Sequence, residues 1–265
     1  MPEHDNWDEH WDRYAAAASQ NPAQQMRHRL IVRLLEQAAA PAARVLDIGS
    51  GQGDLMVKLR GIMPRAELLG FELSAIGVEI SRRKVPAGKF FVADLLKPPA
   101  ELADCIGWAT GAVCSEVLEH VDSPEAFLKA ARQYLADGAR LVVTVPGGPM
   151  SAFDKHIGHR RHFTRESISR VIKGAGFTVE RVYLSGFPFF NLYRCVVIAR
   201  GEKLSDDVNT GRHGFSAWLA GAVMAMFRGL LRLNLTDSRF GWQIVAVARK
   251  ATEIQQSPDA RGFPQ

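Results

Sequence analysis

The chain has 265 residues, of which 47% are hydrophobic, so it can form one domain with a substantial core and an appendage. Its net charge of +5 suits an anionic substrate or surface without requiring either. The three cysteines contain no CxxC pair, which argues against a disulfide framework and predicts a reducing compartment. The acidic, aromatic N-terminus is unlike a signal peptide, so we expect a cytoplasmic protein, with membrane association as an alternative.

The first 40 residues are predicted to form an N-terminal helical cap. Residues 1–26 are polar but carry large aromatic side chains such as Trp7 and Trp11, which predicts a loose helix lying over the domain. From residue 27 to residue 40, apolar side chains recur at helical spacing. Pro41 ends this helix.

A strand, a glycine turn and a helix follow one another near residue 50. Strand one is predicted over Arg44–Ile48, and its apolar run Val45–Ile48, which contains Asp47, indicates a buried strand. The next helix is predicted over Gly51–Arg60. Three glycines occupy alternate positions of the turn: Gly49, Gly51 and Gly53. Glycine permits positive φ and lets a ligand approach the bare backbone, and the free N–H groups of a helix start suit an anion.

Two classes of ligand fit such a turn. A dinucleotide site requires G-x-G-x-x-G, but Asp54 replaces the third glycine. The observed pattern is G-x-G-x-G preceded by Asp47, whose carboxylate would repel a pyrophosphate and attract an ammonium. The segment resembles motif I of the class I S-adenosylmethionine-dependent methyltransferases, whose cofactor carries an amino group. For this motif alone, an arbitrary glycine-rich turn is the alternative.

A second acid, Glu72, ends the second predicted strand, as Asp47 lies near the end of the first. The run Ala66–Glu72 predicts another buried strand, and Ser74 caps a predicted helix that extends to Lys84. Glu72 follows the glycine turn by roughly 20 residues, where nucleotide-binding folds place an acid that accepts hydrogen bonds from ribose hydroxyls. The glycine turn together with the later acid is more specific than either feature alone.

The third strand is predicted over Lys89–Ala93, and Asp94 and Leu95 follow it. In the resembled family, an acid at this place accepts a hydrogen bond from the adenine amino group, and the next side chain covers the ring. The resemblance implies these roles for Asp94 and Leu95. A turn or helix-capping aspartate is the alternative.

The fourth strand is predicted over Ala112–Ser115 and leads into Glu116. An amphipathic helix capped by Ser123 is predicted to end at Asp137-Gly138. The fifth strand is predicted over Ala139–Val145. Strands and helices therefore alternate at the lengths typical of a doubly wound parallel sheet.

The predicted fold is α/β, with a Rossmann-like, seven-stranded, mostly parallel sheet and helices on both faces. Phe177–Leu184 and Trp242–Arg249 are predicted as strands six and seven, and the resemblance implies a hairpin that makes strand seven antiparallel. In such sheets the ligand binds beyond the carboxyl ends of the strands. Four acids fall at these ends: Asp47, Glu72, Asp94 and Glu116.

Residues 187–241 stand where the resembled family has a short hairpin loop. They contain two apolar segments separated by a polar linker, and the uncharged run of the second is shorter than the roughly 20 residues of a membrane span. We predict a helical lid whose apolar face covers a lipophilic substrate, contacts a second subunit of a homodimer or lies on a membrane surface. An additional packed helix pair is the alternative. The predicted layout is a cap at 1–40, a core at 41–186 and 242–250, the insertion at 187–241 and a flexible tail at 251–265.

The predicted cofactor is S-adenosylmethionine. The resemblance and the strand-end positions assign its binding to Asp47, Gly49, Gly51, Gly53, Glu72, Leu73, Asp94, Leu95 and Glu116. Glu116 is expected near the methionine end of the cofactor. The resemblance also implies that residues 1–26 form a flap closing on the cofactor, and packing over the domain is the alternative.

Two roles are considered for the segment after strand four. His120 is a candidate general base, because histidine titrates near neutrality and this one follows the strand at the expected substrate site. The segment also resembles the metal-binding segment of ubiquinone-biosynthesis O-methyltransferases and of small-RNA 2′-O-methyltransferases. The latter take a further histidine from after strand five. The resemblance thus implies a divalent ion on Glu116, Glu119, His120 and His162, which would lower the pKa of substrate hydroxyls. A structural role for His120 is the alternative.

We expect methyl transfer from S-adenosylmethionine to an oxygen of a hydroxylated or glycosylated, lipophilic or lipid-linked small molecule. Arg160, Arg161 and Arg165 suit an anionic substrate or form a solvated basic turn. Alternative acceptors are nitrogen, carbon or an RNA 2′-hydroxyl, although nucleic acid is not expected because no recognition module is appended. A non-catalytic cofactor-binding scaffold and a nicotinamide-dependent oxidoreductase are the rival functions. Asp54 and the lack of a Tyr-x-x-x-Lys pair argue against the oxidoreductase.

Overall fold

The computed structural model describes residues 7–9, 11, 19, 21–36, 43–200 and 215–252, and of residues 200 and 215–220 only the backbone. The predictions for the polar linker, for most of residues 1–20 and for nearly all of the tail therefore lie outside the described residues.

Seven strands form one sheet in this part of the chain, in the order β3-β2-β1-β4-β5-β7-β6. The strands are β1 Arg44–Ile48, β2 Glu67–Glu72, β3 Lys89–Val92, β4 Ala109–Ser115, β5 Leu135–Pro146, β6 Phe177–Ser185 and β7 Gln243–Lys250. Strands β1 to β5 pair in parallel, whereas β7 is antiparallel to both β5 and β6. The predicted Rossmann-like sheet is therefore confirmed, together with its antiparallel strand seven.

A helix precedes β1, and further helices lie between the strands. They are α1 Pro22–Glu36, α2 Asp54–Ile62, α3 Ala75–Lys84, α4 Pro124–Arg132, α5 Ala152–His156, α6 Arg165–Gly174, α7 Phe189–Arg200 and α8 Phe215–Leu230, with a 3₁₀ helix at Ala100–Cys105. The start of α1 precedes the predicted start at Arg27. The start of α2 follows the predicted one, because the glycine turn extends through Gly53.

Each face of the sheet carries a hydrophobic core, because successive strand side chains point to opposite faces. In β1, Leu46 and Ile48 belong to the core that contains Leu128 of α4 and Ile168 of α6. Val45 belongs to the other core, which α1, α2 and α3 complete. Helices thus cover the sheet on both sides, as a buried parallel sheet requires.

The helix after β4 ends earlier than predicted. It stops at Arg132 instead of Asp137-Gly138, and β5 begins at Leu135. Leu135 pairs with Ala109 of β4, and the buried Tyr134 packs edge-on against Phe71 with ring centroids 4.9 Å apart. Strand pairing therefore overrides the helical spacing of these apolar residues.

Helices α7 and α8 lie in the insertion between β6 and β7. Phe190 of α7 and Leu231 bury their side chains against Ala23 and Met26 of α1. These contacts hold the insertion against the N-terminal helix. Within the described residues, no helix is both long enough and apolar enough to span a bilayer.

Candidate functional site

A cavity of about 800 Å³ lies at the carboxyl ends of the parallel strands. Its wall comes from the turn after β1, from the ends of β2, β3, β4 and β5, from the start of β7, and from α1 and α7. Its volume lies within the ~300–1,000 Å³ typical of small-molecule sites. The acids and glycines of the sequence prediction converge on this cavity, with one exception.

The glycine turn exposes bare backbone to the cavity. The N–H groups of Gly49 and Ser50 both donate to the carbonyl of Phe71, at 2.8 and 3.0 Å. Gly51 has a φ of 54°, and a Cβ added there would lie 2.6 Å from the ring of Trp11. A side chain at Gly51 would therefore be strained and would displace the tryptophan. Trp11 thus packs over the turn from the N-terminal segment.

Gly53 is the exception among the predicted cofactor residues, because it does not line the cavity. It is the N-cap of α2 with a φ of 78°, and a Cβ there would approach Ser81 of α3 to 2.8 Å. Its position serves the close packing of the turn against α3. Direct contact of Gly53 with the cofactor stays a prediction.

Glu72 joins the end of β2 to the glycine turn. One carboxylate oxygen accepts from the N–H of Gly51 at 2.7 Å, and the other accepts from the N–H of Ser74 at 3.0 Å. Burial raises the pKa of Glu72, while these backbone hydrogen bonds oppose the rise. The residue lines the cavity where a ribose-binding acid was predicted. Its carboxylate already has a structural function in the absence of any ligand.

Asp47 lies at the floor of the cavity with only 2% of its surface exposed. Burial and the nearby charge of Glu72 raise the pKa of Asp47 to about 8. At neutral pH and without a ligand, this carboxyl is therefore mostly protonated. A cationic group beside it would favour the ionised form.

Three further predicted residues line the cavity after β2 and β3: Leu73, Asp94 and Leu95. Leu95 is buried, whereas Asp94 is exposed and accepts from the N–H of Leu96 at 2.9 Å. An apolar side chain thus lies next to a carboxylate that still has unused acceptor sites. This arrangement fits the predicted adenine contact.

Glu116 lines the cavity just beyond β4 in an uncommon backbone conformation, with a φ of 57°. Its Oε1 accepts from Thr144 Oγ1 and from Gln243 Nε2, each at 3.0 Å. Its Oε2 lies 3.6 Å from Nη1 of Arg27. Neighbours on β5, β7 and α1 therefore hold the left-handed backbone in place.

Glu119 is fully buried, and neither of its carboxylate oxygens has a hydrogen-bond partner among the described residues. Burial and the charge of Glu116 raise the pKa of Glu119 well above its ordinary value. Its Oε1 lies 4.0 Å from Nε2 of His120. A buried carboxylate with unused acceptors at a cavity wall is costly without a ligand or a proton.

Two histidines face each other beside Glu119. The rings of His120 and His159 meet edge to face with centroids 4.8 Å apart. One nitrogen of each ring and one Glu119 oxygen lie within 4.8 Å of one another. Both histidines line the cavity, and Trp7 contacts His120 edge-on at 4.9 Å. His159 was not predicted as a site residue.

The predicted metal set of Glu116, Glu119, His120 and His162 is not the set that comes together. In the described part of the chain, Glu119 and His120 cluster with His159, and His162 clusters with His159 and Asp154. His162 does not line the cavity, because its Nδ1 pairs with the carbonyl of Gly148 at 3.1 Å. Among the described residues, His159 thus groups with Glu119 and His120 in place of Glu116 and His162. Metal binding itself stays a prediction.

Backbone hydrogen bonds fix this histidine segment against the strand ends. The N–H of Arg160 donates to the carbonyl of Glu119 at 2.8 Å, and that of Phe163 donates to Pro146 at 2.9 Å. The N–H of His159 donates to the carbonyl of Asp154 at 2.9 Å. These contacts turn His159 towards the cavity. Burial lowers the pKa of His159 to about 4, although the charge of Asp154 opposes this.

Asp154 connects the insertion to the histidine segment. It is fully buried and accepts from the N–H and hydroxyl of Ser151, both at 2.7 Å, and from Arg194 of α7 at 2.8 and 2.9 Å. Burial raises the pKa of Asp154, but the hydrogen bonds from Arg194 and Ser151 outweigh it and lower the pKa to about 2. No local sequence pattern indicates this pair, because its members lie 40 positions apart.

The predicted basic turn contributes one arginine to the cavity. Arg160 lines it and pairs with Asp122. Arg161 donates to the carbonyl of Asp122 at 3.0 Å, and Arg165 donates to the carbonyl of Val182. Neither of these two arginines lines the cavity. Arg27, Tyr193 and Arg194 line it instead, and sequence reasoning missed all three.

A family model described as a methyltransferase domain matches residues 19–182. One relative is the ubiquinone/menaquinone biosynthesis C-methyltransferase UbiE of Syntrophotalea carbinolica, 27% identical over 73% of this chain and 79% of that protein. Another is an uncharacterized 37.1 kDa protein in transposon TN4556 of Streptomyces fradiae, 28% identical over 64% of this chain. The match spans half the length of the transposon protein.

Solved structures of similar fold include the [4+2]-cyclase SpnF, with a TM-score of 0.63, 15% identity and coverage of 95% of this chain and 98% of that one. Another is geranyl diphosphate C-methyltransferase from Streptomyces coelicolor A3(2), in complex with Mg²⁺, geranyl-S-thiolodiphosphate and S-adenosyl-L-homocysteine. Its TM-score is 0.56 at 16% identity, over 84% of this chain and 76% of that one. Identities this low show the fold alone.

Proposed function

Because the chain belongs to the class I S-adenosylmethionine-dependent methyltransferases, we propose that it methylates a hydroxyl oxygen. The substrate is a small hydroxylated or glycosylated molecule with a lipophilic part. The observation that carries this proposal is the continuity of the cavity. It joins the glycine turn and strand-end acids to an apolar wall that contains His120 and His159.

The residues at the strand ends fit S-adenosylmethionine. Asp47 would pair with its ammonium, and Glu72 would accept from its ribose hydroxyls. The backbone and the Trp11 side chain already donate to the Glu72 carboxylate, so the ribose hydroxyls would share its oxygens or displace Trp11. Asp94 and Leu95 would hold the adenine. When bound, the cofactor supplies a methyl group activated on a sulfonium. The protein therefore has to align the acceptor and take its proton.

The apolar part of the cavity lining suits a lipophilic substrate. It includes the side chains of Val121, Phe127, Phe153, Ile157, Phe190 and Trp242. Helix α7 contributes Tyr193 and Arg194 as well as Phe190, and Arg194 reaches across to the buried Asp154. This supports the proposal that α7 is part of a lid that excludes water during transfer.

Oxygen is proposed as the acceptor because the imidazoles of His120 and His159 lie side by side in the cavity wall. A hydroxyl must lose its proton during methylation, and a positioned imidazole can accept it. Relatives with C-methyltransferase in their names make carbon the main competing acceptor. The atom that carries the transferred methyl group in the product distinguishes oxygen from carbon as the acceptor.

A metal-assisted reaction is the second candidate, and the orphaned carboxylate of Glu119 favours it. Glu119, His120 and His159 would hold a divalent ion, since their ligand atoms lie within 4.8 Å of one another. Such an ion would lower the pKa of a bound hydroxyl. Exhaustive chelation distinguishes the candidates: turnover that survives it supports the metal-free reaction, and turnover that is lost and returns with Mg²⁺, Mn²⁺ or Zn²⁺ supports the ion.

The experiment that tests the proposed function is a screen with S-adenosylmethionine labelled in its methyl group. Each hydroxylated lipophilic compound is paired with its deoxy analogue. We expect label in the hydroxyl compound, as an ether methyl, and none in the analogue. A labelled carbon-bound methyl, or equal labelling of both members of a pair, would contradict oxygen as the acceptor.

A further inference from the structure

Two histidines and a carbonyl form a hydrogen-bonded chain that leads to the cavity. Nδ1 of His162 lies 3.1 Å from the carbonyl oxygen of Gly148. Nε2 of His162 lies 3.3 Å from Nδ1 of His159. His159 lines the cavity and His162 does not, so the hydrogen-bonded chain runs from the exposed carbonyl of Gly148 to the cavity wall.

The carbonyl at one end determines the proton positions along this chain. A carbonyl oxygen only accepts, so Nδ1 of His162 must carry the hydrogen. In a neutral ring the other nitrogen then carries a lone pair, and Nε2 of His162 accepts from Nδ1 of His159. Because Nδ1 of His159 carries its proton, the lone pair of that ring is on Nε2.

The two histidine side chains of this hydrogen-bonded chain are largely buried. The side chain of His159 is 9% exposed and that of His162 is 6% exposed. Both rings lie near the buried carboxylate of Asp154, at 3.9 Å from Nδ1 of His159 and 3.8 Å from Nε2 of His162. The negative charge of Asp154 would stabilise a positive charge arriving on His159.

We propose that Nε2 of His159 accepts the proton of the substrate hydroxyl, and that His162 is a positioning residue that fixes this tautomer through the carbonyl of Gly148. This inference rests on the proposed O-methylation. In the step, the substrate oxygen forms a bond to the methyl carbon as the bond from that carbon to sulfur breaks. The hydroxyl proton passes to Nε2. The positive charge of the sulfonium is thereby replaced by that of the imidazolium, which later releases its proton to solvent.

The tautomer is tested without any substrate by long-range ¹H–¹⁵N correlation spectra of the histidine rings in the full-length protein. We expect both His159 and His162 to be protonated on Nδ1 and unprotonated on Nε2. His162→Gln should preserve the His159 tautomer, because the glutamine oxygen can accept from Nδ1–H. His162→Leu should lose it. A wild-type His159 protonated on Nε2 would overturn the inference, even if the leucine variant does not fold.

The proton acceptor is tested on a hydroxyl substrate found in the labelled-methyl screen. His159→Leu should lower kcat about 100-fold or more, in the range of general-base catalysis, with an unchanged Kd for S-adenosylhomocysteine. His162→Leu should lower kcat by a smaller factor, and His162→Gln should restore it. A His159→Leu variant with wild-type kcat, beside an inactive His120→Leu variant, would assign the proton to His120 instead.

These outcomes separate the inference from the proposed function. If wild-type protein methylates no hydroxyl compound, the proposed function fails, while the ring spectra still decide the tautomer. Addition of Zn²⁺ to the labelled protein gives a further check. A metal-dependent shift of His159 Nε2 at stoichiometric Zn²⁺ would show that this nitrogen is a ligand and would overturn its assignment as proton acceptor. An unchanged signal supports that assignment.

Discussion

Replacing Glu72 by glutamine tests whether one carboxylate both organises the glycine turn and binds the cofactor. The N–H groups of Gly51 and Ser74 bond to different oxygens of Glu72, so the single side-chain oxygen of glutamine can replace only one of these acceptors. The other N–H then faces an amide NH₂. A hydrogen bond to a charged group contributes about 1.5–3 kcal/mol, so we expect the free energy of unfolding to fall by about 2 kcal/mol. For a domain of this size, that corresponds to a Tm lower by roughly 4–8 °C.

The same substitution should weaken cofactor binding. Losing the charge on the ribose hydrogen bonds is expected to raise the Kd for S-adenosylhomocysteine roughly 10- to 100-fold, since each about 1.4 kcal/mol is a factor of ten. Urea unfolding measures the stability, and calorimetry measures the affinity. Glu67→Gln is the matched control, because Glu67 is exposed at the other end of β2. A Glu72→Gln protein with the stability and affinity of the control would refute the reasoning.

Three further predictions follow from the buried groups. The pKa of Asp47 is raised to about 8 in the folded protein, so the folded state binds more protons than the unfolded state at pH values between the unfolded-state pKa and about 8. The free energy of unfolding therefore decreases as the pH rises through this range, and the Tm of cofactor-free wild type should fall. Asp47→Asn should make this fall smaller without removing it, because the pKa values of Glu72 and Glu119 are also raised, and it should weaken cofactor binding; a parallel pH profile would contradict this. Gly51→Ala should abolish cofactor binding by calorimetry, whereas Gly61→Ala, in open space on α2, should not. Arg194→Met should lower the free energy of unfolding by about 3 kcal/mol in urea, because Asp154 is left buried and uncompensated; a loss below about 0.5 kcal/mol would contradict this.

The sheet could be predicted because each of its strands is a short apolar run with a clear end. β1 and the cap of α3 were located to the residue, since Pro41, the glycines and Ser74 mark the boundaries locally. The end of α4 could not be predicted in this way. Tyr134 and Leu135 continue the helical spacing, and only their contacts with β2 and β4 place them elsewhere.

The cofactor end of the site was predictable for a topological reason. In a parallel sheet the carboxyl ends of the strands meet at one edge, so acids at strand ends converge without knowledge of their contacts. Gly53 departs from this rule because the turn has already curved towards α3 by that residue. The second role of Glu72, as acceptor for the turn backbone, depends on distances that the sequence does not contain.

The substrate end was much less predictable. His159 and His162 lie in the same irregular segment, where no period tells which ring faces inward. Backbone bonds from Arg160 and Phe163 to residues of other loops and strands decide it. Arg194 enters the site from an insertion whose position against the core follows from packing on α1. Long-range contacts of this kind leave no local pattern.

A crystal structure of the protein with S-adenosylhomocysteine tests most directly whether the strand ends bind S-adenosylmethionine with its methyl group directed at His120 and His159. We predict density for the ribose beside Glu72, for the amino group beside Asp47 and for the sulfur towards His120 and His159. Density for the ligand outside this cavity, or a ribose placed away from Glu72, would contradict the account.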